Sequence, residues 1–146
     1  MENDSDWFVF NEIFTNKEYD PVFKHFLPFA SSVPLILDLG ANVGYFSLGV
    51  ANVLIEAGFK DFNIIAVEAS PSNFGVLKHR VDQPLLNGRI KSFLGLAGHK
   101  SGVGMMEFSK QHYGHSSALL EAGRKAVQVE YLNIEKLITN ESQEID

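Results

Sequence analysis

The stretch "LILDLGANVGYFSLGVA", Leu35 to Ala51, restricts the fold more than any other part of the chain. Leu35, Ile36, Leu37 and Leu39 form an apolar run interrupted only by Asp38, the pattern of a parallel strand covered on both faces. The period then changes. Phe46, Val50, Leu54 and Ala57 recur at helical spacing, and Gly58 follows as a C-terminal stop. Gly40 and Gly44 lie at the join. A strand, a glycine turn and a helix in that order let backbone approach a ligand, and the helix start offers it unpaired N–H groups.

The same alternation continues downstream. "NIIAVEAS" is predicted as a second buried strand ending at Glu68, and Ser70 with Pro71 opens a helix as N-cap and first helical residue. Phe74, Leu77 and Val81 form its inward face, and it stops before Pro84. A turn at Asn87 and Gly88 leads to a third strand through Ile90, Phe93, Leu94 and Leu96. Strand, helix, strand, helix, strand is the order of a doubly wound, mostly parallel α/β sheet with right-handed crossovers.

"GVGMMEFS" and "AVQVEYL" read differently, as an extended antiparallel pair. In the second, Val127, Val129 and Tyr131 alternate with Gln128 and Glu130. Asn133 caps a short helix through Leu137 and Ile138. Ahead of the domain, residues 1–30 form an N-terminal helical extension, with Phe8, Phe10, Ile13 and Phe14, then Phe23, Phe26 and Leu27, punctuated by Pro21 and Pro28. The connector Ala30 to Pro34 separates it from the domain proper, residues 31–146.

With 146 residues, 45% of them hydrophobic, the chain has the length and composition to bury a core. Its net charge of −6 and lack of a basic block exclude a nucleic-acid partner. No apolar window is long enough to span a bilayer, and the acidic "MENDSDWF" start is unlike a secretory signal. Zero cysteines remove thiolate chemistry and fit a reducing compartment, so the expectation is a cytoplasmic protein with no membrane contact. The sequons at Asn3 and Asn140 then carry no meaning. "HYGH", His112 to His115, lacks the carboxylate or cysteine set of a metal site, and no metal is expected. His99 reads as solvated loop polarity, and Met105 and Met106 as core.

Three ligand classes meet the glycine loop. A dinucleotide fold needs G-x-G-x-x-G, which G-A-N-V-G does not supply, so a nicotinamide oxidoreductase is disfavoured. A P-loop needs Gly-Lys-Ser/Thr, also missing. S-adenosyl-L-methionine (SAM) has no pyrophosphate but carries an ammonium and a carboxylate. Asp38 at the strand end is placed to attract the ammonium, the turn's amides to meet the carboxylate, and Glu68 at the next strand end to accept two ribose hydroxyls. Asn42 either tolerates a left-handed turn or faces the ligand, and Tyr45 either lines the site or packs under the loop.

Taken together, "ILDLGANVGYFSL", "IIAVEASPSNFGVLKHRV", "LGLAGHKSGVGMMEF", "GHSSAL" and "VEYLNIEKLI" resemble the N-terminal half of an FkbM-type SAM-dependent methyltransferase, over Phe8 to Ile138. The resemblance implies a Rossmann-like class I fold and transfer of a methyl to a hydroxyl of a sugar or small metabolite. It also implies that Asp38, Gly40, Ala41, Asn42 and Gly44 hold the methionine part and that Glu68 takes the ribose. Ala69 and Ser70 would border the adenosine, with Ala97 and Gly98 near adenine. Members of that family continue with further strands where this sequence reaches Asp146. The expectation is therefore an incomplete sheet lacking its C-terminal strands, with its free edge covered by another copy or by rearranged residues. No catalytic residue is named. A competing reading is a SAM-binding or interaction module without an acceptor site.

Overall fold

A computed structural model describes residues 4–30, 33–86, 88–107 and 126–143. Asn3, the Ser31-Ser32 part of the connector, Asn87, the HYGH motif and the "GHSSAL" block lie outside the described residues. The N-terminal aromatic run folds as α1 (Asp4–Phe10), continued by a widened π-helical turn (Asn11–Thr15), and α2 (Asp20–Phe26), continued by a 3-10 turn (Leu27–Phe29). Pro21 stands in the first turn of α2 and Pro28 in that 3-10 turn, where a missing N–H does least harm.

The strand–helix alternation is present as read: β1 (Leu35–Leu39), α3 (Tyr45–Glu56), β2 (Asn63–Glu68), α4 (Pro71–Val81) and β3 (Ile90–Leu94). The strands form one parallel sheet in the order β1-β2-β3, with Asp38 beside Ala66 and Glu68 beside Leu94. Local signals set the helix ends. Ser70 Oγ accepts the Asn73 N–H at 3.5 Å, and Asp82 ends α4 ahead of Pro84. At the end of α3, Gly58 has φ +89°, and the Gly58 and Phe59 N–H groups donate to Ile55 and Leu54 at 3.0 Å, a Schellman closure.

Val50, Ala51 and Leu54 of α3 and Leu77 and Val81 of α4 meet Ile64 and Ala66, which share one face of β2. Each fully buried Leu or Ile here contributes roughly 1.5–3 kcal/mol by leaving water. The N-terminal helices join the same body. Phe23 and Leu27 pack against this core, and Ile13 is seated where a Cβ on Gly49 would come within 2.6 Å of its Cγ2.

Three expectations are corrected by the structure. First, β1 is not covered on both faces: only Asp38 is buried, and Leu39 is 49% exposed. β1 is the sheet edge among the described residues, so β2 in the centre takes the burial instead, from Ile64 through Glu68. Among the described residues the order of this sheet runs one way from β1, with no reversal. Second, the third strand ends at Leu94, and Leu96 belongs to a separate strand, β4 (Leu96–Gly98). The break is steric. A Cβ on Gly95 would fall 2.6 Å from Leu132 Cγ and 2.9 Å from the Glu130 carbonyl oxygen, so only glycine passes between the sheets there.

The second sheet contains β4, β5 (Gly102–Glu107) and β6 (Ala126–Asn133) in the order β4-β6-β5. β5 and β6 are antiparallel, as read, while β4 runs parallel to β6. The third correction lies in β5, where Met105, read as core, is 45% exposed while Met106 is buried. In β6 only Val129 of the alternating set is buried. Val127 and Tyr131 stay 40% and 37% exposed, because this small sheet has only part of one face covered. Asn133 then starts α5 (Ile134–Gln143): its Oδ1 accepts the Lys136 N–H at 2.9 Å, and its Nδ2 donates to the His99 carbonyl at 2.7 Å. No helix of the described residues is long and apolar enough to cross a membrane.

Candidate functional site

Three residues of the loop between β1 and α3 adopt left-handed backbone: Gly40 and Gly44 at φ +91° and Asn42 at φ +51°. The Gly40 and Ala41 N–H groups both donate to the Val67 carbonyl at 2.9 Å, tying the loop to the end of β2. Gly44 donates to the Ala41 carbonyl at 2.8 Å and closes the turn. The two glycines differ in what surrounds them. A Cβ on Gly44 would strike Leu77 Cδ1 at 2.7 Å, so this glycine lets the loop seat on α4. Around Gly40 such a Cβ would meet nothing within 4 Å beyond its own chain neighbours, so the space beside it is open.

Glu68 is the fixed point of one half of the site. Its Oε1 accepts the Ser70 N–H and its Oε2 the Asn42 N–H, each at 2.8 Å, so one carboxylate joins β2, the glycine loop and the start of α4. It is only 8% exposed. A carboxylate offers about four acceptor positions, so roughly two remain, one on each oxygen. Asn42 is held a second time, its Oδ1 accepting from Asn73 Nδ2 at 2.9 Å. Its amide is thus directed at α4, and its left-handed backbone is the stronger reason for an asparagine here.

Asp38 is equally buried but differently partnered. Ser47 on α3 donates its hydroxyl to Asp38 Oδ2 at 2.6 Å and its backbone N–H as well. Burial pushes the Asp38 carboxyl above its ordinary value of 3.8, the Ser47 hydrogen bonds pull it back in part, and the nearby Glu68 charge raises it further. Tyr45 packs under the loop. Its ring is edge-on to Phe10 and Phe14 at 5.6 and 6.2 Å, Arg80 lies 4.3 Å over its face, and Arg80 Nη2 donates to its hydroxyl at 3.2 Å. Arg80 Nη1 also donates to the Val43 carbonyl at 2.9 Å, a clamp on the loop with no signature in the sequence.

Two cavities flank the glycine loop. One, of about 390 Å³, is bordered by Gly40, Asn42, Glu68, Ala69 and Ala97, together with Asn73, Gly95, Leu96 and Met106. The other, of about 380 Å³, is bordered by Asp38, Gly40, Ala41, Asn42 and Tyr45, and by Val9, Glu12, Ile13 and Tyr19 of the N-terminal segment. Gly40 and Asn42 belong to both walls. Eight of the sequence-predicted residues (Asp38, Gly40, Ala41, Asn42, Tyr45, Glu68, Ala69 and Ala97) therefore border one cavity or both. Gly44 and Ser70 support the loop and the helix start from behind.

Gly98 borders neither cavity; it lies under Tyr131, whose Cδ1 would be 3.3 Å from a Cβ there. Sequence reading missed Asn73, Met106, Glu12 and Tyr19. Asn73 carried a signal, as a polar residue on the first turn of the helix that follows Glu68. No family model and no curated protein matches the chain.

Proposed function

We propose that this chain binds SAM along the glycine loop and acts as a SAM-dependent methyltransferase of the Rossmann-like, FkbM type. The acceptor is a hydroxyl of a sugar or small metabolite. One observation supports this most: two cavities of similar volume meet at Gly40 and Asn42, and each has a buried strand-end carboxylate in its wall, Asp38 in one and Glu68 in the other. An elongated ligand with a diol at one end and a charged amino-acid group at the other matches that layout. Glu68 retains an acceptor position on each oxygen for two neighbouring hydroxyls, and Ala69, Leu96, Ala97 and Met106 offer the apolar walls that a purine needs.

Bound SAM supplies a methyl group already activated by its sulfonium. The chain's own residues bind and align it. Gly40 leaves room between the two cavities, Glu68 fixes the sugar, and the Ser47–Asp38 pair holds the start of α3. Isothermal titration with S-adenosylhomocysteine tests the reading: saturable binding is expected for the wild type and a loss of at least tenfold for Glu68→Gln. Folded wild-type protein giving no heat would overturn it.

A further inference from the structure

By its position at the end of β1, Asp38 is the residue expected to meet the ligand's ammonium. The structure gives that carboxyl another partner, since Ser47 donates to it from both hydroxyl and backbone while only 8% of the residue is exposed. The same cavity has a second carboxyl group in its wall. Glu12, exposed to solvent on the π-helical turn, borders it together with the half-exposed Tyr19 and the rings of Tyr45 and Phe46. Among the described residues no lysine, arginine or histidine borders this cavity. Two acids, with no basic side chain among the described lining residues, are complementary to a cationic group.

We propose that Glu12 is the residue that recognises the α-ammonium at the amino-acid end of the ligand, leaving Asp38 to hold the start of α3 through Ser47. This assignment rests on the SAM reading above. Packing of the N-terminal segment fixes where Glu12 stands. Its neighbour Ile13 is buried against Gly49, Phe10 and Phe14 contact Tyr45, and Tyr19 lies edge-on to Phe46 at 5.1 Å. The turn is closed by the Asn16 N–H donating to the Asn11 carbonyl at 2.7 Å. Val9, Glu12, Ile13 and Tyr19 thus form one wall of the second cavity, and the charge on that wall selects for a ligand bearing an amine.

Calorimetric titration of the wild type and Glu12→Gln with three probes tests this: S-adenosylhomocysteine, its deamino analogue, and 5′-methylthioadenosine, which lacks the amino-acid end. Glu12→Gln is expected to weaken S-adenosylhomocysteine roughly tenfold, the size of one charge-assisted hydrogen bond, and to leave methylthioadenosine unchanged. The wild type should bind the deamino analogue roughly tenfold less tightly than the parent, and the variant should not discriminate between them. Glu12→Asp, which keeps the charge, is expected to retain part of the discrimination. Unchanged affinity of Glu12→Gln for S-adenosylhomocysteine would overturn the assignment while leaving the SAM reading intact, as would an equal loss for all three probes. Wild-type protein that binds none of the three overturns both.

Discussion

Asp38 and Glu68 lie near the ends of adjacent parallel strands, two register positions apart and equally exposed, yet their surroundings give them different work. Glu68 accepts backbone N–H groups from two separate segments, so it links the glycine loop to α4 while keeping acceptor capacity toward the larger cavity. Asp38 accepts from a single residue, Ser47, and its proton is held more tightly than usual because burial disfavours its charge. Position along a strand therefore identifies which acids belong to a site, but the donors around each decide what it does there.

The sharpest way to break this comparison is to remove Glu68. Glu68→Ala leaves two backbone donors, one buried and one part-buried, without their carboxylate and is expected to destabilise the fold by about 3 kcal/mol, read by urea denaturation. A cost below about 1 kcal/mol would show that water replaces the carboxylate and that Glu68 does not organise the loop. Next in size is Gly44→Ala, expected to cost about 2 kcal/mol through its left-handed backbone and the overlap with Leu77. Gly40→Ala shares the backbone penalty without the overlap, so it should cost about half as much while weakening S-adenosylhomocysteine more. If the two alanine variants lose equal stability, the division between a packing glycine and a ligand-side glycine fails.

Asn73→Ala removes the hydrogen bond that its Nδ2 donates to Asn42 and is expected to cost about 1 kcal/mol, with a parallel loss of S-adenosylhomocysteine affinity. Asp38→Asn probes the other acid through pH. The folded chain holds the Asp38 proton above its ordinary value of 3.8, so between the unfolded and folded values the native state binds more protons than the unfolded state. This contribution is complete below the unfolded value and is lost as pH rises through the folded one. Denaturation curves collected upward from pH 3.5 should therefore fall more steeply for the wild type than for Asp38→Asn. A wild-type curve no steeper than the variant's would contradict the raised pKa.

Much of the local structure was legible because its causes are local. The change of period at Gly40, the Ser70-Pro71 helix start, the Gly58 stop and the Asn133 cap each depend on residues within one or two turns. What escaped notice depends on partners distant in the chain. The end of β3 is set by Leu132 and Glu130, which press on Gly95. Gly44 reads as a ligand-loop glycine, but its neighbour is Leu77 on the next helix. The role of the N-terminal segment was missed for the same reason: its aromatic residues announce burial, and only the packing of Ile13 on α3 shows that Glu12 and Tyr19 reach the cavity.

Gly95 also has a consequence for motion. It is the covalent joint between the parallel sheet and the mixed sheet. The mixed sheet buries few of its described side chains. Under native conditions the amides of β6 should therefore exchange with deuterated solvent through a sub-global opening well before those of β2, whose release requires the whole protein to unfold. The wall that Leu96, Ala97 and Met106 contribute to the larger cavity would open with that unit, giving a ligand a way in that leaves the glycine loop undisturbed.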